Sequence, residues 1–143
     1  MATSCSFCPI VAGEVVAHFV LDAPNVVAFL DHRPLFAGHT LVLPRAHVPT
    51  LRDLSDSLRD ELFAHTQAVA AAVQDAMGAE GAFVAVNNVV SQSVPHLHVH
   101  VVPRNRKDGL RGFFWPRTKY GSEAEMAACA MSIRANLADG AIM

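Results

Sequence analysis

The sequence predicts an α+β fold: a five-stranded antiparallel sheet with a long central helix and a C-terminal helix. Three observations carry that expectation. Short β-branched and aromatic runs alternate with turn residues, one central stretch switches to a helical period, and a capped helix closes the chain. Apart from the central helix the connections are short, which favours antiparallel neighbours with helices laid against them.

The elements follow in order. "VVAHFV" (15–20) and "VVAFLD" (26–31) read as strands, and "LDAPN" between them supplies Asp22, Pro24 and Asn25 as turn formers, so the pair is a hairpin. "HRPLFAGH" (32–39) is a connection, and "TLVLP" (40–44) is a third strand ended by Pro44. From Ser55 the period changes. Leu58, Leu62, Val69 and Val73 share one helical face, Asp56 stands in the first turn, and Gly78 stops the helix. "AFVAVNN" (82–88) and "HLHVHVV" (96–102) are the fourth and fifth strands. Ser122 and Glu125 form a capping box for a last helix running to about Asp139, with Gly140 behind it.

The 143 residues, 52% of them apolar, suffice for one core, and no repeat or linker interrupts them, so a single domain over 1–143 is expected. A net charge of −2 gives no overall nucleic-acid or membrane signature. The charge is uneven, however. Residues 104–119 hold Arg104, Arg106, Lys107, Arg111, Arg117 and Lys119 against Asp108 alone, a local balance of +5 that suits a compact polyanion or a solvated loop. No charged start followed by an apolar run marks a signal peptide, and no apolar run reaches the roughly 18 residues of a membrane span. A reducing cytoplasm is the expected compartment. The "CSFC" pair, Cys5 and Cys8, then points to a metal or redox role, or to free thiols, rather than a staple.

The unusual stretch is "PHLHVHVV" (95–102). On a strand, side chains alternate faces, so His96, His98 and His100 line one surface while Leu97, Val99 and Val101 supply the core. Imidazole can attack phosphorus, carry charge near neutral pH, or bind zinc. One shared ion is geometrically awkward. The outer rings would be about 13 Å apart at the backbone, against metal–nitrogen bonds of about 2 Å. The row cannot be one site doing one job.

"HLHVHVV" resembles the His-φ-His-φ-His-φ-φ signature of the histidine triad superfamily, φ being apolar. "CSFCPIVAGEV", "VVAFLDHRPLFAGHTLVLPRAHV" and "VAVNNVVSQSV" are similar to that family's opening, central segment and approach to the triad, covering residues 5–104. The resemblance implies a nucleotide-binding hydrolase or transferase acting at the α-phosphate of a nucleoside ester, anhydride or phosphoramidate. His98 matches the nucleophile and His100 a residue beside the phosphate oxygens. Asp31 matches the carboxylate for the ribose hydroxyls, Phe29 the wall against the base, and Asn87, Gln92 and Ser93 polar groups around the phosphate. Taken alone, Asp31 also reads as a turn former, Asn87 as a strand-end cap and Ser93 as a loop residue. One departure stands out: relatives often carry glycine before the glutamine, where this chain has Ser91.

The resemblance also implies a structural zinc site of two thiolates and two imidazoles: Cys5, Cys8, His47 and His96, with His39 a second candidate for the later histidine. A zinc-bound His96 would stiffen the strand next to His98 and could not protonate a leaving group. Family members commonly dimerise into a continuous ten-stranded sheet, so a homodimer is expected. The basic and aromatic segment 104–121, with Phe113, Phe114 and Trp115, would then either pack that dimer or hold distal phosphates and a second base. Histidine at the third triad position favours a purine-nucleotide phosphoramidase or dinucleoside-polyphosphate hydrolase over the transferase branch. A non-catalytic nucleotide-binding or adaptor module and a zinc hydrolase with the triad as its metal site are the rivals. Neither nucleic acid nor membrane is an expected partner.

Overall fold

The computed structural model describes residues 5–111 and 117–137. The chain divides after Asp108 into two compact units. The first holds strands β1 (Phe19–Asp22), β2 (Val26–Leu30), β3 (Thr40–Pro44), β4 (Gly81–Val86) and β5 (Val99–Arg104), and helices α1 (Cys8–Val11) and α2 (Asp56–Ala76). The second holds helix α3 (Glu123–Ala135).

The five strands form one antiparallel sheet in the order β1-β2-β3-β5-β4. Its central strands are buried on both faces, which is why β2 and β3 read as continuous apolar runs rather than alternating ones. Val26, Ala28, Val42, Leu97, Val99 and Val101 turn to α2, where they meet Leu62, Val69 and Val73. Phe29, Val27, Leu41 and Leu43 turn the other way, toward Phe7 and the N-terminal segment. That second face also borders His98 and His100.

Helix α2 starts where the period changes, and the structure shows Ser55 as its cap, the hydroxyl accepting from the Leu58 N–H. Thr66 lies on its buried face and donates its hydroxyl to the Leu62 carbonyl, so the polar residue is satisfied within the helix. Gly78 follows Met77 in the left-handed region (φ 59°), the conformation that ends helices.

Several boundaries differ from expectation. Strand β1 begins at Phe19 and includes Leu21 and Asp22, because the turn is tighter than "LDAPN": the Ala23 N–H donates to the Val26 carbonyl and Asp22 pairs with Val27. Strand β4 stops at Val86, and the Asn88 side chain instead accepts from the Leu51 N–H, bracing a 3-10 turn at Leu51–Asp53. Strand β5 begins only at Val99. The Leu97 N–H donates to the Val48 carbonyl and the His96 N–H to the Val94 carbonyl, so residues 96–98 are held by loops, not by a neighbouring strand. The alternation of faces nevertheless persists through them, since Leu97 joins the α2 side with Val99 and Val101. In α3, Ser122 accepts from the Glu125 N–H, but the Glu125 carboxylate reaches back to Gly121 rather than to Ser122. That helix ends at Ala135; Asp139 and Gly140, like Phe113, Phe114 and Trp115, lie outside the described residues.

Candidate active site and metal cluster

On the face opposite α2 lies a cavity of ≈ 680 Å³, with walls supplied by the N-terminal segment, the end of β2 and the histidine row. Phe29, Asp31, Ser93, His98 and His100 all line it. Its apolar side is built on Phe29, which is nearly fully buried and meets Phe7 and Phe19 edge-on at 5.5 and 5.9 Å between ring centroids. Phe7 and Ile10 complete that wall from α1 and the turn before it. Sequence reasoning missed both, because nothing in an apolar residue next to a cysteine says which face of a sheet it will cover.

The three histidines face three different partners. His98 is buried, and its Nδ1 lies 2.7 Å from the His96 carbonyl oxygen. A carbonyl can only accept, so Nδ1 carries the proton and Nε2 keeps a free lone pair. Burial pushes the His98 pKa down, against opposing contributions from the His96 carbonyl and Asp31, which favours the neutral ring. A neutral imidazole in this tautomer is a nucleophile.

His100 is set by a second chain of bonds. The Leu35 N–H donates to His39 Nδ1 at 3.0 Å, so the His39 proton sits on Nε2. That Nε2 lies 2.9 Å from His100 Nδ1 and donates to it. His100 therefore carries its own proton on Nε2 and offers a neutral donor. Burial first, then His98 and His39, push its pKa down to about 4. His39 was a zinc candidate by sequence; it instead sits beside the cavity floor with Asp31 Oδ2 at 3.7 Å. Although Asp31, His39 and His100 are close enough to share an ion, the Leu35 bond argues against it. It places a proton on the very nitrogen that would have to bind the ion.

Asp31, one residue beyond β2, accepts the Arg33 N–H at 2.9 Å through Oδ1, leaving Oδ2 available toward the cavity. Ser93 is exposed on the lining. Two predicted residues are not brought to the cavity wall. Asn87 is exposed just past β4. The Gln92 amide is spent on its own loop, accepting from the Val89 N–H at 2.9 Å and donating to the Pro49 carbonyl at 2.7 Å. That loop is strained: Val89 and Ser91 both have positive φ, 69° and 62°, in the region that suits glycine. The Ser91 departure thus falls where a side chain costs most.

The third partner set belongs to His96, which is fully buried. Its Nε2–H donates to the Pro44 carbonyl at 2.8 Å, so Nδ1 presents its lone pair to Cys5, Cys8 and His47. Tetrahedral zinc with bonds of about 2.3 Å to sulfur and 2.05 Å to nitrogen requires N–N edges near ~3.35 Å and S–N edges near ~3.55 Å. The observed edges are 3.3 Å for His47 Nδ1 to His96 Nδ1, 3.5 Å for Cys5 Sγ to His96 Nδ1 and for Cys8 Sγ to His47 Nδ1, and 3.8 Å for Cys8 Sγ to His96 Nδ1. Four of the six edges are thus close to tetrahedral zinc lengths, and all four ligand atoms lie within 4.8 Å of one another, so the donor set fits zinc. Burial and the neighbouring Cys5 push the Cys8 thiol up, a shift that a bound cation would reverse.

With this geometry established, comparison with known proteins decides the family. The model of the HIT domain matches residues 12–107. The chain belongs to the HIT family. Among HIT relatives, an adenosine 5'-monophosphoramidase of Schizosaccharomyces pombe is 34% identical, with 79% of this chain and 84% of the relative covered. An adenylylsulfatase of Arabidopsis thaliana is 30% identical over 77% of this chain, which spans 57% of that longer relative. The crystal structure of a HIT family member from Bacillus subtilis superposes with a TM-score of 0.87 at 30% identity, covering 96% of this chain and all (100%) of the other. A zinc-bound histidine triad protein from Mycobacterium smegmatis superposes with a TM-score of 0.71 at 34% identity, covering 93% and 98%. HIT relatives of this chain are thus hydrolases, and the sheet is the HIT sheet. Among the described residues no helix is long and apolar enough to cross a membrane.

Proposed function

We propose that this protein is a nucleotide-binding hydrolase that cleaves at the α-phosphate of a purine nucleoside phosphoramidate or dinucleoside polyphosphate. The observation that carries the proposal is the tautomer pair at the cavity: His98 with a free Nε2 lone pair and, at 4.9 Å between ring centroids, His100 with an Nε2 donor. In the first step His98 Nε2 bonds to phosphorus as the bond to the leaving group breaks. The His100 N–H stabilises charge on the phosphoryl oxygens. Water then attacks the nucleotidyl-histidine, freeing the nucleoside monophosphate and restoring the ring. Asp31 holds the ribose hydroxyls, Phe29 and Phe7 clasp the base, and Ser93 lies toward the phosphate.

The two enzymatic relatives differ in leaving group, an amine in one name and sulfate in the other, so attack at the phosphorus of an adenylyl group is the chemistry they share. Gln92 acts, in this reading, by holding the loop before the triad rather than from the cavity wall. Zinc at Cys5, Cys8, His47 and His96 is structural, a closed site with four protein ligands that stiffens the segment leading into His98. The chain works in the cytoplasm as a homodimer, with an edge of the sheet extended by a second copy.

Rapid quenching with adenosine phosphoramidates and diadenosine polyphosphates, followed by intact-mass measurement, tests the reading. A nucleotidyl adduct mapping to His98, and its loss together with turnover in His98→Ala while nucleotide binding persists, is the expected result. Wild-type protein that binds nucleotide but turns over none of these substrates is an adaptor, and the hydrolase reading fails. Light scattering after gel filtration tests the dimer.

A further inference from the structure

His96 joins two things that the mechanism treats separately. Its ring faces Cys5 and Cys8, with sulfurs at 3.5 and 3.8 Å from Nδ1, while its backbone carbonyl is the acceptor that fixes the His98 tautomer at 2.7 Å. His96 is fully buried, and its remaining ring nitrogen is tied to the Pro44 carbonyl. Ring and carbonyl are therefore held as one rigid piece, and whatever displaces the ring is felt by the nucleophile two residues away. The cysteines, by contrast, are only half-buried, so a small oxidant reaches them.

We propose that Cys5 and Cys8 form an oxidant-sensitive modification site: hydrogen peroxide converts the pair to a disulfide, empties the metal cluster and weakens the hold on His98. This rests on the zinc reading given above. The step balances. Two cysteine thiolates each lose one electron and form an S–S bond, peroxide accepts both electrons and becomes two hydroxide ions, and Zn²⁺ leaves with its charge unchanged. Geometry makes the two states exclusive. Sulfurs at tetrahedral corners are about 3.75 Å apart, whereas a disulfide needs about 2.05 Å, so the bonded pair cannot keep both corners. The ligand atoms of this cluster all lie within 4.8 Å of one another, and Cys5 stands three positions before Cys8, the first residue of α1, so the two sulfurs are already close neighbours. Oxidation removes two of the four ligands, and the His96 Nδ1 loses both sulfur partners while the Pro44 bond and the Phe7 and His47 rings stay in contact with it.

The test uses the full chain carrying Cys129→Ser, which removes the third thiol without touching the cluster. Zinc content is measured first, on reduced protein. Peroxide is then titrated while zinc release is followed with a chromogenic chelator, the disulfide by intact mass and peptide mapping, nucleotide affinity by calorimetry with AMP, and turnover with an adenosine phosphoramidate. The expected result is about one zinc released per chain in step with a mass loss of about 2 Da. It comes with a fall of about tenfold in kcat/KM, as expected for a displaced nucleophile, while AMP affinity changes less than about twofold. Dithiothreitol with added zinc should reverse all of it. Zinc retained while free thiols are oxidised, or zinc released with kcat/KM unchanged, overturns the proposal. Reduced protein that holds no zinc overturns the zinc reading before any oxidant is added, so the two failures are distinguishable.

Discussion

Replacing His39 by leucine should cripple catalysis without emptying the cavity. His39 accepts the Leu35 N–H at 3.0 Å and donates to His100 Nδ1 at 2.9 Å, and those two bonds alone decide which His100 nitrogen carries the proton. Leucine keeps the apolar volume and removes both bonds. Two costs follow. The Leu35 N–H loses its acceptor, and since Leu35 lies in an exposed connection this costs the fold about 0.5–1.5 kcal/mol, the net worth of an ordinary hydrogen bond. The Nε2–H donor of His100 is no longer enforced, and losing a hydrogen bond made in the transition state costs about 1.4–2.8 kcal/mol, a fall of roughly ten- to a hundredfold in kcat. KM should change little, because His39 does not line the cavity. A direct readout exists in ¹⁵N-detected NMR of the imidazoles: His100 should be a single Nε2–H tautomer in the wild type and a mixture in His39→Leu. Its pKa should also rise from about 4, since the neighbouring His39 ring helps to depress it. His39→Gln, whose amide both accepts and donates, should recover part of the rate. An unchanged kcat in folded His39→Leu, or a pure Nε2–H tautomer of His100 in that variant, would refute the relay.

Three further outcomes follow from the same structure. His100 binds its proton at about pH 4 folded, against a usual value of 6.5, so the unfolded chain takes up that proton first as pH falls. Its contribution to stability is whole above about pH 6.5 and is lost progressively down to about pH 4; urea midpoints measured across that range should fall, and should fall less in His100→Gln. Ser91→Gly should raise stability by up to about 1 kcal/mol, because the left-handed penalty of about 1–2 kcal/mol at φ 62° outweighs the entropy glycine adds to the unfolded chain; a lowered melting temperature would mean Ser91 makes an interaction that outweighs its strain. Stripping the Cys5, Cys8, His47 and His96 cluster with a strong chelator should lower the melting temperature and broaden the His98 resonance, and zinc but not magnesium should restore both, since only zinc favours thiolate and imidazole together.

The sequence was most legible where one local rule governed. "TLVLP" is β3 residue for residue, because β-branched residues and a terminal proline leave no alternative. The central helix begins where the period changes because Ser55 had only to satisfy its own first turn. The α+β architecture followed from such pieces and the lengths between them. Reading failed where a residue's partner was distant or was backbone. Residues 96–98 look like strand, yet the His96 and Leu97 N–H groups go to the Val94 and Val48 carbonyls, which no pattern reports. His39 was open only as a second zinc candidate behind His47, and its link to His100 went unread because it depends on the Leu35 N–H four residues earlier. Gln92, matched to the phosphate, turns its amide to Pro49 and Val89. The same physics explains both success and failure at the triad. Period-two alternation is a property of the chain itself, so the separation of Leu97, Val99 and Val101 from the histidines could be foreseen. The protonation of each ring is a property of what surrounds it: the His96 carbonyl leaves His98 a free Nε2 lone pair, the Leu35 amide acting through His39 leaves His100 an Nε2 donor, and the Pro44 carbonyl turns the His96 Nδ1 lone pair to the cysteines.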